Sequence, residues 1–159
     1  MTDAPIIDHI GWQVDDYDRA VKFYTAALKP LGWTKMREFV YPGGKTAGYG
    51  TKGKPYLWLS SGAKTAPRIH VALGADSRAA VDAFYKAAMK AGGTDNGPPG
   101  TRAEYHPTYY AAFVLDPDGH NVEAVTHAPA KSAVTKAAVK KTAKKPAAKS
   151  KPAKGKKKK

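Results

Sequence analysis

His9, His70 and Glu123 are the residues whose types and placement could do chemistry together. His9 lies in IIDHIGWQV, His70 in RIHVALGA and Glu123 in NVEAVT, three segments rich in β-branched and aromatic residues that read as strands. Alternation assigns their faces. Ile7, His9, Gly11 and Gln13 share one face of the first strand, opposite the large apolar set Ile10, Trp12 and Val14. Arg68, His70, Ala72 and Gly74 share a face opposite Ile69, Val71 and Leu73, and Asn121, Glu123 and Val125 lie opposite Val122 and Ala124. The apolar faces must pack on helices, so the histidines and the glutamate are left to line a cavity. A carboxylate among apolar neighbours needs a partner or a metal. Two imidazoles and one carboxylate on adjacent strands make a three-ligand site with open positions. Non-haem iron and catalytic zinc both use such a set, and the ion then acts as a Lewis acid.

The elements that position these groups follow from periodicity. Asp15 or Asp16 caps a helix over about Tyr17–Leu28, and Pro30 and Gly32 stop it. Residues 33–41 and 56–60 read as strands, separated by PGGKTAGYGTKGKP, a short strand with mobile loops. Residues 68–75 form the next strand. A second helix over about Ser77–Ala91 is capped by Asp76 or Ser77 and ended by Gly92-Gly93. Residues 109–115 and 121–126 are strands, joined by the turn Asp116-Pro117-Asp118-Gly119.

The chain repeats itself. A shift of 61 residues lays residues 9–32 over residues 70–93 with 8 identities in 24 pairs, including His9/His70, Asp15/Asp76, Phe23/Phe84, Tyr24/Tyr85 and Gly32/Gly93. Each half reads strand–helix–strand–strand–strand. The expected fold class is therefore α+β, with two βαβββ modules (about 6–62 and 67–127) forming a curved half-open barrel around a shared cleft. The repeat brings His9 and His70 to equivalent places.

These residues resemble the vicinal oxygen chelate superfamily, which includes glyoxalase I, bleomycin-resistance proteins, extradiol dioxygenases and fosfomycin-modifying thiol transferases. The resemblance spans residues 6–127 and rests on the paired repeat, IDHIGWQV, RIHVAL and DPDGHNVEAV. It implies His9, His70 and Glu123 as ligands of one divalent ion (Fe, Mn, Zn or Ni), a small oxygen-bearing organic substrate and a homodimer. Lyase or isomerase, dioxygenase and thiol-transferase chemistry are all compatible with it, as is a ligand-sequestering protein without catalysis. Glyoxalase I carries a further glutamate at the end of its first half, where this chain has YLWLSS. The dioxygenase pattern has a tyrosine where this chain has Phe113, and strand parity puts Tyr109, not Tyr110, on the face of Phe113.

His106 and Tyr109 are candidate catalytic groups, and Gln13, Arg68, Phe113 and Asn121 are candidate substrate-pocket residues. His120, in a turn beside Asp118, reads as solvent-facing, and His127 as a boundary residue. Phe23, Tyr24, Phe84 and Tyr85, matched between the helices, read as core.

Charge divides the chain. Of a net +14, the 13 lysines of residues 128–159, which include no acid, leave only +1 for residues 1–127. Such a Lys/Ala/Pro-rich tail is expected to be disordered. It resembles the tails of linker histones and bacterial histone-like proteins. Lys140, Lys141, Lys144, Lys145, Lys156, Lys157, Lys158 and Lys159 are its candidate nucleic-acid contacts, acting on phosphates without reading sequence. The chain has no cysteine, so disulfides and thiolate sites are excluded. It has no 18-residue apolar run, so no membrane span is expected. Acids stand at the N-terminus where a signal peptide carries lysines, and the expectation is a cytoplasmic protein whose tail is available to the nucleoid.

Overall fold

A computed structural model describes residues 7–129. The tail lysines named above lie outside the described residues. Two four-stranded mixed sheets are each backed by one helix. In chain order the elements are β1 (Ile10–Val14), α1 (Tyr17–Leu28), β2 (Thr34–Tyr41), β3 (Gly44–Thr51), β4 (Lys54–Ser61), β5 (His70–Gly74), α2 (Arg78–Lys90), β6 (Thr94–Thr101), β7 (Tyr110–Leu115) and β8 (Asn121–Thr126). Sheet order is β1-β4-β3-β2 in the first module and β5-β8-β7-β6 in the second. Each module is thus a βαβββ unit, and the repeat read in the sequence is a repeat of architecture.

Local chemistry sets the helix limits. The Asp16 carboxylate accepts from the Arg19 N–H at the start of α1, and the Ser77 hydroxyl accepts from the Ala80 N–H at the start of α2. The apolar stripe of α1, with Ala20, Phe23, Tyr24, Ala27 and Leu28 buried, packs on Trp12, Val14, Ala47, Tyr49, Leu57 and Leu59. On α2, Val81, Phe84 and Ala88 cover Leu73, Ala112, Val114, Val122 and Ala124. The two layers form one continuous core, so the modules are packed helix to helix.

The glycine- and lysine-rich stretch is more ordered than expected: it supplies β3, an eight-residue interior strand paired to both β2 and β4. The strand that the repeat implies after the second helix, to which periodicity assigns no residues, is β6, with the sequence TDNGPPGT. It sits at the sheet edge, where a proline removes no ladder donor, and its pairing with β7 shifts register on either side of Gly97.

The Asp-Pro-Asp-Gly turn is a junction between the modules. Asp116 Oδ2 accepts from the Tyr24 hydroxyl at 2.6 Å. Asp118 accepts from the Asp15 N–H at 2.9 Å and pairs with Arg19 at 3.0 Å. His120 is not solvent-facing. It is 1% exposed, its N–H donates to Asp116 Oδ1, and its ring meets Trp12 of the other module edge-on at 6.1 Å. A turn's polarity suggested solvent, but the packed neighbour comes from a distant part of the chain.

Candidate functional site

Register fixes what the open face of the second sheet carries. His70 lies opposite Asn121, Ala72 opposite Glu123, and Phe113 opposite Glu123. These side chains share the face turned away from α2. Glu123 is 1% exposed, although its strand neighbours on the other face are the apolar Val122 and Ala124. Its Oε2 lies 3.1 Å from His70 Nε2, and its Oε1 accepts from the Tyr109 hydroxyl at 2.5 Å. Burial, reinforced by this carboxylate, pushes the Tyr109 phenol up to about 12. The phenol is therefore held as the neutral donor.

His70 is fixed from two further directions. Asn121 Nδ2 lies 2.7 Å from His70 Nδ1, and Asn96 Nδ2 donates to Asn121 Oδ1 at 3.0 Å. The Phe113 ring stacks on the imidazole at 6.3 Å. Rotation of the Asn121 and Asn96 amides together turns the first contact into an Nδ1–H···Oδ1 bond, lets Asn121 Nδ2 donate to Asn96, and frees Nε2 as a ligand, a familiar arrangement behind metal-bound histidines. An imidazole and a buried carboxylate in contact are a donor pair that fits a divalent ion.

His9 stands apart from this pair. It precedes β1, its side chain is 57% exposed, and its Nδ1 meets Asp8 Oδ1 at 2.9 Å. Among the described residues no three His, Asp or Glu side chains converge. His9 and His70 do line one cavity of about 780 Å³ between β1 and β5, together with Trp12, Trp33, Tyr56 and Ile69.

The other sequence-read residues fall in different places. Gln13 lies on the open face of the first sheet, its amide against Gly62. Arg68 is exposed in the segment before β5. Tyr110 points to the opposite side from Tyr109 and donates to Asp82 of α2 at 2.7 Å. His106 is a loop residue whose Nδ1 accepts from the Thr108 N–H at 3.3 Å. Its ring meets His127 at 5.6 Å, and His127 in turn meets Tyr109 at 5.2 Å. Sequence reasoning therefore missed His127 as a neighbour of the site, and missed Arg102, whose guanidinium lies over Phe113 at 5.6 Å.

The first sheet's open face is aromatic. Trp58 lies flat over Gly48, where an added Cβ would come within 2.8 Å of the indole, and Phe39 stacks on it at 6.1 Å and 18°.

Comparison with known proteins agrees with this architecture. A glyoxalase/bleomycin resistance protein from Albidiferax ferrireducens is 26% identical, with a TM-score of 0.62 over 76% of this chain and 98% of that one. Glyoxalase I from Zea mays (23% identical, TM-score 0.59, 77% of this chain) shows the same fold, and the chain spans 45% of its length. The fosfomycin resistance protein FosX from Mesorhizobium loti (20% identical, TM-score 0.55) also shares the fold, over 79% of this chain and 93% of that one. No curated protein matches the chain. The family model for the Glyoxalase/Bleomycin resistance protein/Dioxygenase superfamily matches residues 6–124, and with its paired βαβββ modules the chain belongs to that superfamily.

Proposed function

We propose that the protein is a divalent-metal enzyme acting on a small oxygen-bearing organic substrate, with His9, His70 and Glu123 as ligands. The observation that carries this reading is the buried Glu123 carboxylate, in contact with His70 at 3.1 Å on an otherwise open sheet face. When bound, the ion (Fe, Mn, Zn or Ni) supplies Lewis-acid polarisation of substrate oxygens. The chain's own groups do the rest. Asn121 orients His70, and Tyr109 holds a proton on its phenol oxygen beside Glu123 Oε1. Phe113 packs against the imidazole. Tyr109 and His106 are the acid–base candidates of this face, with the His127 ring packed against both. Gln13, Arg68 and Asn121 are the polar groups available to the rest of the substrate. A homodimer is part of this reading.

Two observations support other roles. The Trp58–Phe39 stack offers a flat apolar surface to a planar ligand, as a sequestering protein of the bleomycin-resistance kind would need. The 13 lysines of residues 128–159 support sequence-independent contact with nucleic acid.

Metal analysis of full-length protein purified without a histidine tag tests the enzyme reading. One equivalent of a divalent ion is expected, lost in His70→Ala and in Glu123→Gln. Full occupancy in either variant overturns the site.

A further inference from the structure

Arg102 follows an edge strand, a place where arginine normally stands out into water. Here it is laid flat on the open face of the second sheet. Its Cζ lies 5.6 Å from the centre of the Phe113 ring, and Nη2 donates to the Pro98 carbonyl at 2.8 Å. The preceding strand is shaped to admit it. A Cβ at Gly100 would lie 2.6 Å from Nη1, and one at Gly97 would lie 3.5 Å from Nη2. Gly97 also has φ +147°, which L side chains rarely adopt. The two register shifts in the β6–β7 pairing flank this same glycine, and such irregularities re-aim side chains. Two glycines and two bulges therefore cradle one guanidinium.

That guanidinium is not neutralised. Among the described residues no carboxylate lies within ion-pair distance of Arg102. Among the described residues, only one of its five N–H donors has a protein acceptor. On the far side of the shared contact, Phe113 stacks on His70, the partner of Glu123. The cation, the aromatic ring and the His70–Glu123 pair form one continuous patch.

We propose that Arg102 anchors an oxyanion of the substrate, a carboxylate or a phosphonate-type group, so that the substrate of this face is a small anion. This rests on the metal-enzyme reading for the identity of the reacting end, and not for the anion contact itself. Guanidinium geometry matches two oxygens of such a group at once, and a ring face behind it leaves the N–H edges pointing outward. Phe113, read from the sequence as a missing tyrosine, then acts as the support of the arginine.

The test uses full-length, metal-free protein with acetate and methylphosphonate as probes, followed by amide and arginine Nε–H resonances. Saturable shifts at Arg102, Gly97, Gly100 and Phe113 are expected, and the better probe reports whether the site prefers a planar or a tetrahedral oxyanion. Arg102→Met should weaken binding by about tenfold or more, the ratio equivalent to one charge-assisted contact. Gly100→Ala keeps the charge but fills the cradle, and should weaken binding similarly while the unfolding transition shows that each variant is folded. Equal binding by Arg102→Met and wild type, or shifts confined to another face, overturns the inference. Anion binding by wild-type protein that takes up no divalent ion overturns the metal reading alone. Metal loading without anion binding overturns this inference alone.

Discussion

The Tyr24 hydroxyl donates to Asp116 Oδ2 at 2.6 Å, joining α1 of the first module to the β7–β8 turn of the second across 92 residues of sequence. Both groups are buried, and burial beside the carboxylate drives the Tyr24 phenol far above its ordinary range. With the Arg19–Asp118 pair, this contact sets how the two halves meet.

Tyr24→Phe removes that donor and leaves Asp116 with backbone partners only. The expected loss is about 2 kcal/mol of stability, the range for hydrogen bonds to charged groups. Urea unfolding of wild type and variant measures it, and an unchanged midpoint would show that the backbone donors suffice.

Tyr109 gives the alkaline prediction. Its phenol titrates near 12 when folded, against about 10 when free. Between those values the unfolded chain has released a proton that the folded chain still holds, so the contribution of Tyr109 to stability is full below pH 10 and is lost as the pH rises towards 12. Tyr109→Phe should flatten that part of the pH–stability curve and remove one late-titrating tyrosine from the 295 nm absorbance.

Metal loading should weaken as the pH is lowered, because protons compete for imidazole and carboxylate ligands. Equilibrium dialysis against zinc over a pH series measures this. Glu123→Gln should lose most of the affinity at every pH, and retention at neutral pH would remove Glu123 from the ligand set.

Simple catechols should be poor substrates even with ferrous iron. The position facing Glu123 across the β7–β8 ladder is Phe113, which has no hydroxyl. Oxygen uptake faster than about 1 s⁻¹, within the usual enzyme range, contradicts this.

Removing residues 130–159 should leave the unfolding midpoint of the globule nearly unchanged and abolish gel shifts of unrelated DNA duplexes. In the full chain, each phosphate neutralised should add about 0.9 to the log–log salt slope. Shifts that survive truncation would place the contact on the folded domain.

Much of the fold was legible because it is locally encoded. Asp16 and Ser77 announce the two helices, and the 61-residue repeat announces the paired modules. Strand parity separated Tyr109 from Tyr110, and the two phenols do go to opposite sides. The parts that were not legible depend on distant neighbours. Pro98 and Pro99 argue against a strand until the edge position of β6 is known. His120 looks like a surface turn residue until Trp12 of the other module covers it. Arg102 follows two register shifts in β6, and alternation alone cannot count through a bulge.

The strand orders carry a consequence for synthesis. In each module the last strand made is inserted between the first and third, β4 between β1 and β3 and β8 between β5 and β7. The first module can close once Ser61 is available, and it then presents a finished surface to the second module as that emerges. The second must hold β5 and the β6–β7 hairpin apart until Asn121–Thr126 arrives, with one edge of β7 open to any other strand. Pro98 and Pro99 blunt the outer edge of that waiting hairpin, while its inner edge stays open for β8. His70 and Glu123 can meet only once β8 has paired with β5, which makes their contact a mark of a completed second sheet.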